Sequence, residues 1–141
     1  FDAIGSRALW VGAVGQGTRL KLVANAWVGT LTTALAQSVA MAEGLGLDPQ
    51  SFLDAIAGGG TDTPYAHIKG AAMIKHDYPV AFALAAALKD GGLILEALRE
   101  AQVSDVLGAA MHRILSTAAE RVDPTAVDLA AAVEGLRPPR D

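Results

Sequence analysis

Apolar residues dominate an unusually long stretch near the start of the chain. From Leu20 to Ala42 the sequence holds one charged residue, Lys21, and its other polar residues are scattered rather than alternating with apolar ones. This pattern predicts a long helix, with Thr18 as its N-cap and its end near Gly44. Because the helix is apolar on almost every face, we expect it at the centre of the fold, buried on most sides.

Shorter helices are predicted along the rest of the chain, separated by turn residues. Asp48–Pro49 and Asp123–Pro124 each place an N-cap residue before a proline, which is typical of a helix start. Gly91 and Gly92 lie inside the fourth helix and cost about 1 kcal/mol each relative to alanine, so close packing is expected there. The tail from Arg137 onward should fray. The predicted shorter helices cover about residues 49–57, 65–74, 82–101 and 106–121, and a last one ends near residue 135.

A brief apolar segment, Ala8 to Gly12, precedes the long helix and predicts a strand that ends in a turn. The rest of the chain has few aromatic residues and only short β-branched runs, so no partner strand is predicted. We therefore interpret this strand as the last strand of an upstream domain. On this interpretation residues 1–14 are a remnant of that domain. Residues 15–141 form an all-α helical bundle around the long N-terminal helix.

Composition argues against several classes of site. The 141 residues are enough for one domain with its own core. The net charge is −4 and no basic stripe is present, so we expect no nucleic-acid partner. The chain has no cysteine, and its three histidines are scattered, so neither a disulfide framework nor a metal site is predicted.

The apolar stretch within the first helix is long enough to cross a bilayer, but polar residues in its middle favour a buried core helix. No signal peptide opens the chain, so we expect a cytoplasmic protein without a membrane partner. The high apolar content predicts a surface that a partner covers, either another domain or a second copy in a homodimer or tetramer.

Lys21 and Asn25 stand four residues apart, on one face of the predicted long helix. Burial would lower the pKa of the lysine and prepare it for proton transfer, while the amide can donate to a carboxylate and accept from a hydroxyl. The alternative is a lysine that extends to solvent and a buried, hydrogen-bonded asparagine. A cation in the first turn opposes the helix dipole, which favours the functional interpretation.

Lys89 and Asp90 form a charged pair in the middle of a long apolar run. Lys89 could reach a cofactor or a substrate, or the pair could simply begin the solvated face of the helix. The Gly15-x-Gly17 pair is not a dinucleotide-binding fingerprint, because the third glycine and the surrounding strand–helix–strand unit are lacking.

The combined pattern is more specific than its parts. It consists of Gly-x-Val-Gly-x-Gly-x-x-x-Lys-x-x-x-Asn from Gly12 to Asn25, then Ala-Glu-Gly-x-Gly-Leu-Asp-Pro from Ala42 to Pro49, then Phe-x-Leu-x-x-x-x-Lys-Asp from Phe82 to Asp90. Over essentially its whole length the chain resembles the C-terminal domain of the β-hydroxyacid dehydrogenases, which include 3-hydroxyisobutyrate dehydrogenase and tartronate semialdehyde reductase.

The resemblance implies a two-domain enzyme. An N-terminal Rossmann domain would bind NAD or NADP, and the present all-helical domain would supply catalysis and dimer contacts. Lys21 matches the catalytic lysine, Asn25 the substrate-binding residue, and Lys89 a cofactor-contacting lysine, with Phe82 before it at the family spacing. The expected substrate is a small 3-hydroxy acid or its aldehyde or keto partner. Without the Rossmann domain, this chain alone should be inactive.

Two other interpretations remain open. One is a non-catalytic helical dimerisation or interaction module with a structural Lys21. The other is an enzyme like the imine reductases, which share the architecture but carry a different residue in place of Lys21. The chain also departs from the family at residues 58–61, where relatives tend to carry a Gly-Ser segment, and at Gly91 and Gly92, where they tend to carry an apolar residue after Lys-Asp.

Overall fold

Helix α1 spans 29 residues and is the longest element of the fold. The computed structural model describes residues 9–139. Within that range the regular structure is entirely helical, which confirms the predicted all-α class. The elements are α1 (Gln16–Gly44), α2 (Pro49–Ile56), α3 (Pro64–Lys75), α4 (Leu84–Glu100), α5 (Val106–Ala119) and a 3-10 helix (Leu129–Gly135).

Only the C-terminal half of α1 lies in the core. Its buried residues begin at Gly29, whereas Val23 and Trp27 are each about two-thirds exposed. The prediction that α1 is buried on most sides is therefore wrong for its first half, because the other described helices cover that half on one side only, where Leu22 and Ala26 pack partly buried against the core. No helix within residues 9–139 is long and apolar enough to cross a membrane.

Helix starts follow the predicted capping chemistry at α2 and depart from it at α1, and α3 has a side-chain cap that the sequence analysis did not name. The Asp48 side chain accepts a hydrogen bond from the Gln50 backbone amide at the start of α2. The Thr63 side chain accepts a hydrogen bond from the Ala66 backbone amide at the start of α3. The prediction that Thr18 caps α1 is wrong: the cap is Gly15 in the left-handed conformation (φ 92°), and the helix begins two residues before Thr18.

The predicted strand does not form where the structure describes it. Leu9 to Gly12 have irregular backbone, and Ala8 lies outside the described residues. A strand needs a partner, and the β-type pairing found within residues 9–139 is a single bridge between Ala83 and Asp128.

The last predicted helix is also different. Asp123 closes a turn by accepting hydrogen bonds from the Thr125 backbone and hydroxyl. Regular structure resumes only at Leu129, as a 3-10 helix capped by the Asp128 side chain. The same region delays the start of α4 to Leu84, because the carbonyl of Phe82 accepts a hydrogen bond from the Leu129 amide at 2.8 Å.

The C-terminal tail is not frayed at Arg137. This side chain is only 9% exposed, and its guanidinium reaches Glu43 at the end of α1. The expectation of a loose tail is therefore wrong at this residue, because its partner lies 94 positions away in sequence. Arg140 and Asp141, at the end of the tail, lie outside the described residues.

The two glycines inside α4 have different surroundings. A Cβ on Gly91 would approach His112 Cδ2 of α5 to 2.9 Å, whereas a Cβ on Gly92 would meet no atom within 4 Å. Close packing therefore explains Gly91 alone, and the expectation is wrong for Gly92.

Candidate functional site

A hydrogen bond between helices joins the two motifs that the sequence singled out. The Asn25 side-chain nitrogen Nδ2 on α1 donates to Asp90 Oδ2 on α4 at 2.7 Å. Both residues are partly buried. Because a carboxylate accepts hydrogen bonds and does not donate them, Asp90 engages the donor end of the amide. The Asn25 oxygen accepts no hydrogen bond from residues 9–139, so it can accept one from a ligand.

Two exposed lysines flank this hydrogen bond in sequence. Lys21 precedes Asn25 by one helical turn, and Lys89 directly precedes Asp90. Both are exposed, and neither forms an ion pair within residues 9–139. The burial expected for Lys21 is therefore not supplied by the described part of the chain.

Phe82 lies at the same junction of helices. Together with Asn25, Gly29 and Asp90 it lines a small cavity of about 10 Å³, which is closed on its other side by core residues. Two of the four predicted site residues, Asn25 and Phe82, therefore meet at one small cavity between α1 and α4, together with Asp90, the neighbour of Lys89.

A buried carboxylate holds the backbone next to Phe82. Asp128 is 2% exposed, and its Oδ1 lies 2.6 Å from the Lys69 ammonium. Its Oδ2 accepts hydrogen bonds from the backbone amides of Ala81 and Phe82 at 3.0 Å each. Burial alone would raise the pKa of Asp128, but the hydrogen bonds from Lys69 and the backbone amides outweigh it and lower the pKa.

A second ionic cluster surrounds Arg137. Its guanidinium binds Glu43 through two nitrogens, at 2.8 and 2.6 Å, and binds Glu134 at 2.7 Å. The hydrogen bond from Arg137 is the main reason that the pKa of Glu43 is lowered. Burial, together with the hydrogen bond to the Glu134 carboxylate, raises the pKa of Tyr78. These contacts join the end of α1 to the tail and serve stability.

Sequence reasoning missed Asp90 as the partner of Asn25, and it missed Lys69 and Asp128 altogether. For Asp90 a signal was present, because an acid beside Lys89 in an apolar run requires a partner. For Lys69 and Asp128 there was none, since 59 residues separate them. No group of three or more potential metal ligands occurs within residues 9–139.

Comparison with known proteins agrees with this architecture. Residues 15–136 match the protein family described as "NAD-binding of NADP-dependent 3-hydroxyisobutyrate dehydrogenase". Two similar proteins from Arabidopsis thaliana are glyoxylate/succinic semialdehyde reductase 1, 31% identical over 137 residues, and the chloroplastic glyoxylate/succinic semialdehyde reductase 2, 29% identical over 137 residues. The matches cover 97% of this chain in both cases, but only 47% and 38% of the two reductases.

Solved structures show the same fold. A 3-hydroxyisobutyrate dehydrogenase from Salmonella typhimurium superposes with a TM-score of 0.84 at 18% identity, over 94% of this chain and 47% of that enzyme. The Mycobacterium tuberculosis 3-hydroxyisobutyrate dehydrogenase, solved with L-serine, gives a TM-score of 0.76 at 27% identity, over 90% of this chain and 45% of that enzyme.

The helical bundle is thus of the class found in hydroxyacid dehydrogenases that use NAD or NADP. This chain belongs to the 3-hydroxyisobutyrate dehydrogenase family. It spans less than half the length of the relatives it matches.

Proposed function

We propose that this chain is the catalytic helical domain of an NAD(P)-dependent oxidoreductase that acts on small 3-hydroxy acids and on the corresponding aldehydes. The observation that carries the proposal is the 2.7 Å hydrogen bond from Asn25 to Asp90. It brings the motif that contains the proposed proton donor together with the motif that contains the proposed cofactor contact.

In this proposal Lys21 is the general acid and base. During reduction its ammonium group donates a proton to the carbonyl oxygen of the substrate, and during oxidation its neutral amine takes the proton of the hydroxyl. When bound, NAD(P) would supply the hydride to the carbon that bears this oxygen in reduction and would accept it in oxidation. A substrate and a preceding domain that cover Lys21 would supply the burial that the helical domain itself lacks.

Asn25 orients the substrate. Asp90 accepts one hydrogen of the Asn25 Nδ2 group, and the second can be donated to the substrate carboxylate while the substrate hydroxyl gives its single proton to Lys21. This donor favours a carboxylic acid over a substrate that lacks the carboxylate, because a polar group of the site would otherwise lose its partner.

Lys89 and Phe82 form the cofactor side of the proposed site. The exposed ammonium of Lys89 suits the negative charge of a dinucleotide. The Phe82 ring, close to the Asn25–Asp90 pair, offers an apolar contact. These residues fit a role as auxiliary contacts, and a preceding Rossmann domain, of which residues 1–14 would be the last part, would hold most of the cofactor.

The surface between α1 and α4 supports a proposal that other parts of the protein cover this domain. A mainly apolar groove of about 590 Å³ runs along it, lined by Leu22, Val23, Ala26, Leu98 and Val103 among others. A groove of this character needs a partner to cover it. We propose that the preceding domain and a second copy of the protein share this role, so that the protein is a homodimer or a larger oligomer.

The names of the relatives narrow the substrate class. Two are reductases of glyoxylate and succinic semialdehyde, and one dehydrogenase was solved with L-serine, which carries a 3-hydroxyl group. Each of these compounds, or its product, is a short chain with a carboxylate and an alcohol or aldehyde. The proposed substrate here has the same features.

The test is a substrate panel on the complete protein that contains this chain. Reduction of glyoxylate and succinic semialdehyde, and oxidation of 3-hydroxyisobutyrate and L-serine, would be followed by the absorbance of NADH and of NADPH. Isobutyrate, which lacks the hydroxyl, is the matched control. The proposal predicts turnover of at least one hydroxy acid or aldehyde and none of isobutyrate; no turnover of any compound with either cofactor would contradict it.

The second candidate function is a non-catalytic interaction module, which the exposed apolar groove favours. It predicts self-association or partner binding together with no cofactor binding at all. Titration of the complete protein with NADPH and NADH separates the two functions, because only the enzyme should bind either cofactor.

A further inference from the structure

One side chain at the start of the distant 3-10 helix, that of Asp128, binds two backbone amides of the segment that carries Phe82. Four groups bind the Asp128 carboxylate: the Lys69 ammonium at 2.6 Å, the Ala130 amide at 2.9 Å, and the amides of Ala81 and Phe82 at 3.0 Å. Two of the four lie at Phe82 or directly before it. The carboxylate thus links the Phe82 segment to α3, since Lys69 lies on that helix.

The backbone of Phe82 is fixed on both of its sides. Its amide donates to Asp128, and its carbonyl accepts from the Leu129 amide at 2.8 Å. The flanking residues are held in the same way, because Asp128 donates its own amide to the Tyr78 carbonyl at 3.1 Å and Leu84 donates to the Val127 carbonyl at 3.0 Å. Since the backbone direction at a residue limits its side-chain rotamers, these bonds also restrict the direction of the Phe82 ring.

The Lys69 ion pair makes this arrangement depend on charge. The Lys69 side chain is 13% exposed and that of Asp128 is 2% exposed, so both groups are largely removed from water. A buried carboxylate without a counter-ion is unfavourable, and a buried pair is tolerated only when further hydrogen bonds complete it. The three backbone amides supply those bonds. The Phe82 segment therefore helps to satisfy the buried carboxylate, and the carboxylate in turn binds two amides of that segment.

We propose that Asp128, together with its counter-ion Lys69, is a positioning residue that fixes Phe82 in the orientation required for cofactor binding; this rests on the proposed function of Phe82. Neither residue touches the cofactor in this account. Their effect on binding passes entirely through the segment from Ala81 to Phe82.

The main experiment measures the dissociation constant of NADPH, and in parallel of NADH, by fluorescence titration of the complete protein. Asp128→Asn replaces one carboxylate oxygen by an NH2 group, which cannot accept hydrogen bonds. The variant must therefore lose the two hydrogen bonds that this oxygen accepted. It should weaken binding by about tenfold. Asp123→Asn is the matched control, because Asp123 accepts hydrogen bonds from Thr125 in an exposed turn and does not contact Phe82. It should leave binding unchanged.

Two further measurements distinguish positioning from a loss of general stability. Phe82→Ala should weaken binding by itself, and Asp128→Asn added to it should cause no further loss, because both changes remove the same contact. Hydrogen exchange of the peptide that contains Ala81 and Phe82 should accelerate in Asp128→Asn, while a peptide from α5 keeps its wild-type rate. Losses that multiply in the double variant, or unchanged exchange of the Phe82 peptide, would overturn the proposal.

If Asp128→Asn does not fold, Lys69→Met keeps the carboxylate and its backbone bonds but removes the counter-ion. It should also weaken NADPH binding, without a further loss on the Phe82→Ala background, and Lys69→Arg should restore binding. Wild-type binding in Lys69→Met would overturn the proposal. Wild-type NADPH binding in Phe82→Ala would refute the proposed role of Phe82 itself. Weakened binding in Phe82→Ala together with wild-type binding in Asp128→Asn would refute only the positioning role of Asp128.

Discussion

Arg137 provides the strongest test of how the tail is held to the bundle. Its side chain is 9% exposed, and it donates hydrogen bonds to two carboxylates, Glu43 and Glu134, and to the Met73 carbonyl. Arg137→Ala removes all of these and leaves the two carboxylates without their shared cation. Breaking a buried ion pair on one side costs about 3–5 kcal/mol.

The magnitude is reduced by partial exposure. The Glu43 side chain is 28% exposed and that of Glu134 13%, so water can replace part of the lost interaction. We therefore expect Arg137→Ala to lower the free energy of unfolding by about 2–4 kcal/mol. For a chain of this length, that corresponds to a fall in Tm of roughly 10 °C. Arg137→Lys should recover only part of the loss, because it keeps the charge but not the two-nitrogen contact with Glu43.

The assay is urea denaturation followed by circular dichroism, with Arg99→Ala as the matched control. Arg99 pairs with Asp105 at 3.1 Å, but the two side chains are 65% and 35% exposed, so its removal should cost less than about 1 kcal/mol. If Arg137→Ala costs no more than Arg99→Ala, the tail is not held by this cluster.

Two further predictions concern acid and helix α4. The pKa values of Glu43 and Glu134 are lowered in the fold, so each carboxylate adds stability that is complete above its unfolded pKa of 4.5 and is lost as the pH falls below it. Thermal unfolding measured from pH 7 to 3 should show this loss, and Arg137→Ala should flatten it; an equally steep loss in the variant would contradict the assignment. In α4, Gly92→Ala should stabilise by about 0.5–1 kcal/mol because its surroundings are open, whereas Gly91→Ala should gain less or destabilise because His112 must move. Equal effects of the two changes in denaturant titrations would be evidence against the described α4–α5 packing.

Local signals predicted the starts of α2 and α3 well. At Asp48 the chemistry of the cap lies within two or three residues of the helix it begins, so the sequence contains all the information. The same holds for the length of α1, whose apolar run ends at glycine. The Lys21–Asn25 motif was also found locally, because residues four apart on a helix share a face.

Contacts between distant residues could not be predicted in this way. Asp128 caps the 3-10 helix through the Ala130 amide, and its carboxylate is held there by the distant Lys69 and the Phe82 amide. Arg137 is buried because its guanidinium binds Glu43 at the end of α1. The prediction of a helix from Asp123 and of a frayed tail failed for this reason. The exposure of Trp27 has a related cause: periodicity shows that a face is apolar, but not which part of the molecule covers it.

The central claim is that Lys21 is the proton-transfer group of an NAD(P)-dependent hydroxyacid oxidoreductase. The most direct test is the kcat of Lys21→Ala in the complete protein, at saturating substrate and cofactor, beside Lys75→Ala, an exposed lysine in the last turn of α3. We expect a fall in kcat of about 10²- to 10⁴-fold for Lys21→Ala, with unchanged binding of NADPH and a wild-type Tm, and no change for Lys75→Ala. A kcat for Lys21→Ala within a few-fold of wild type would contradict it.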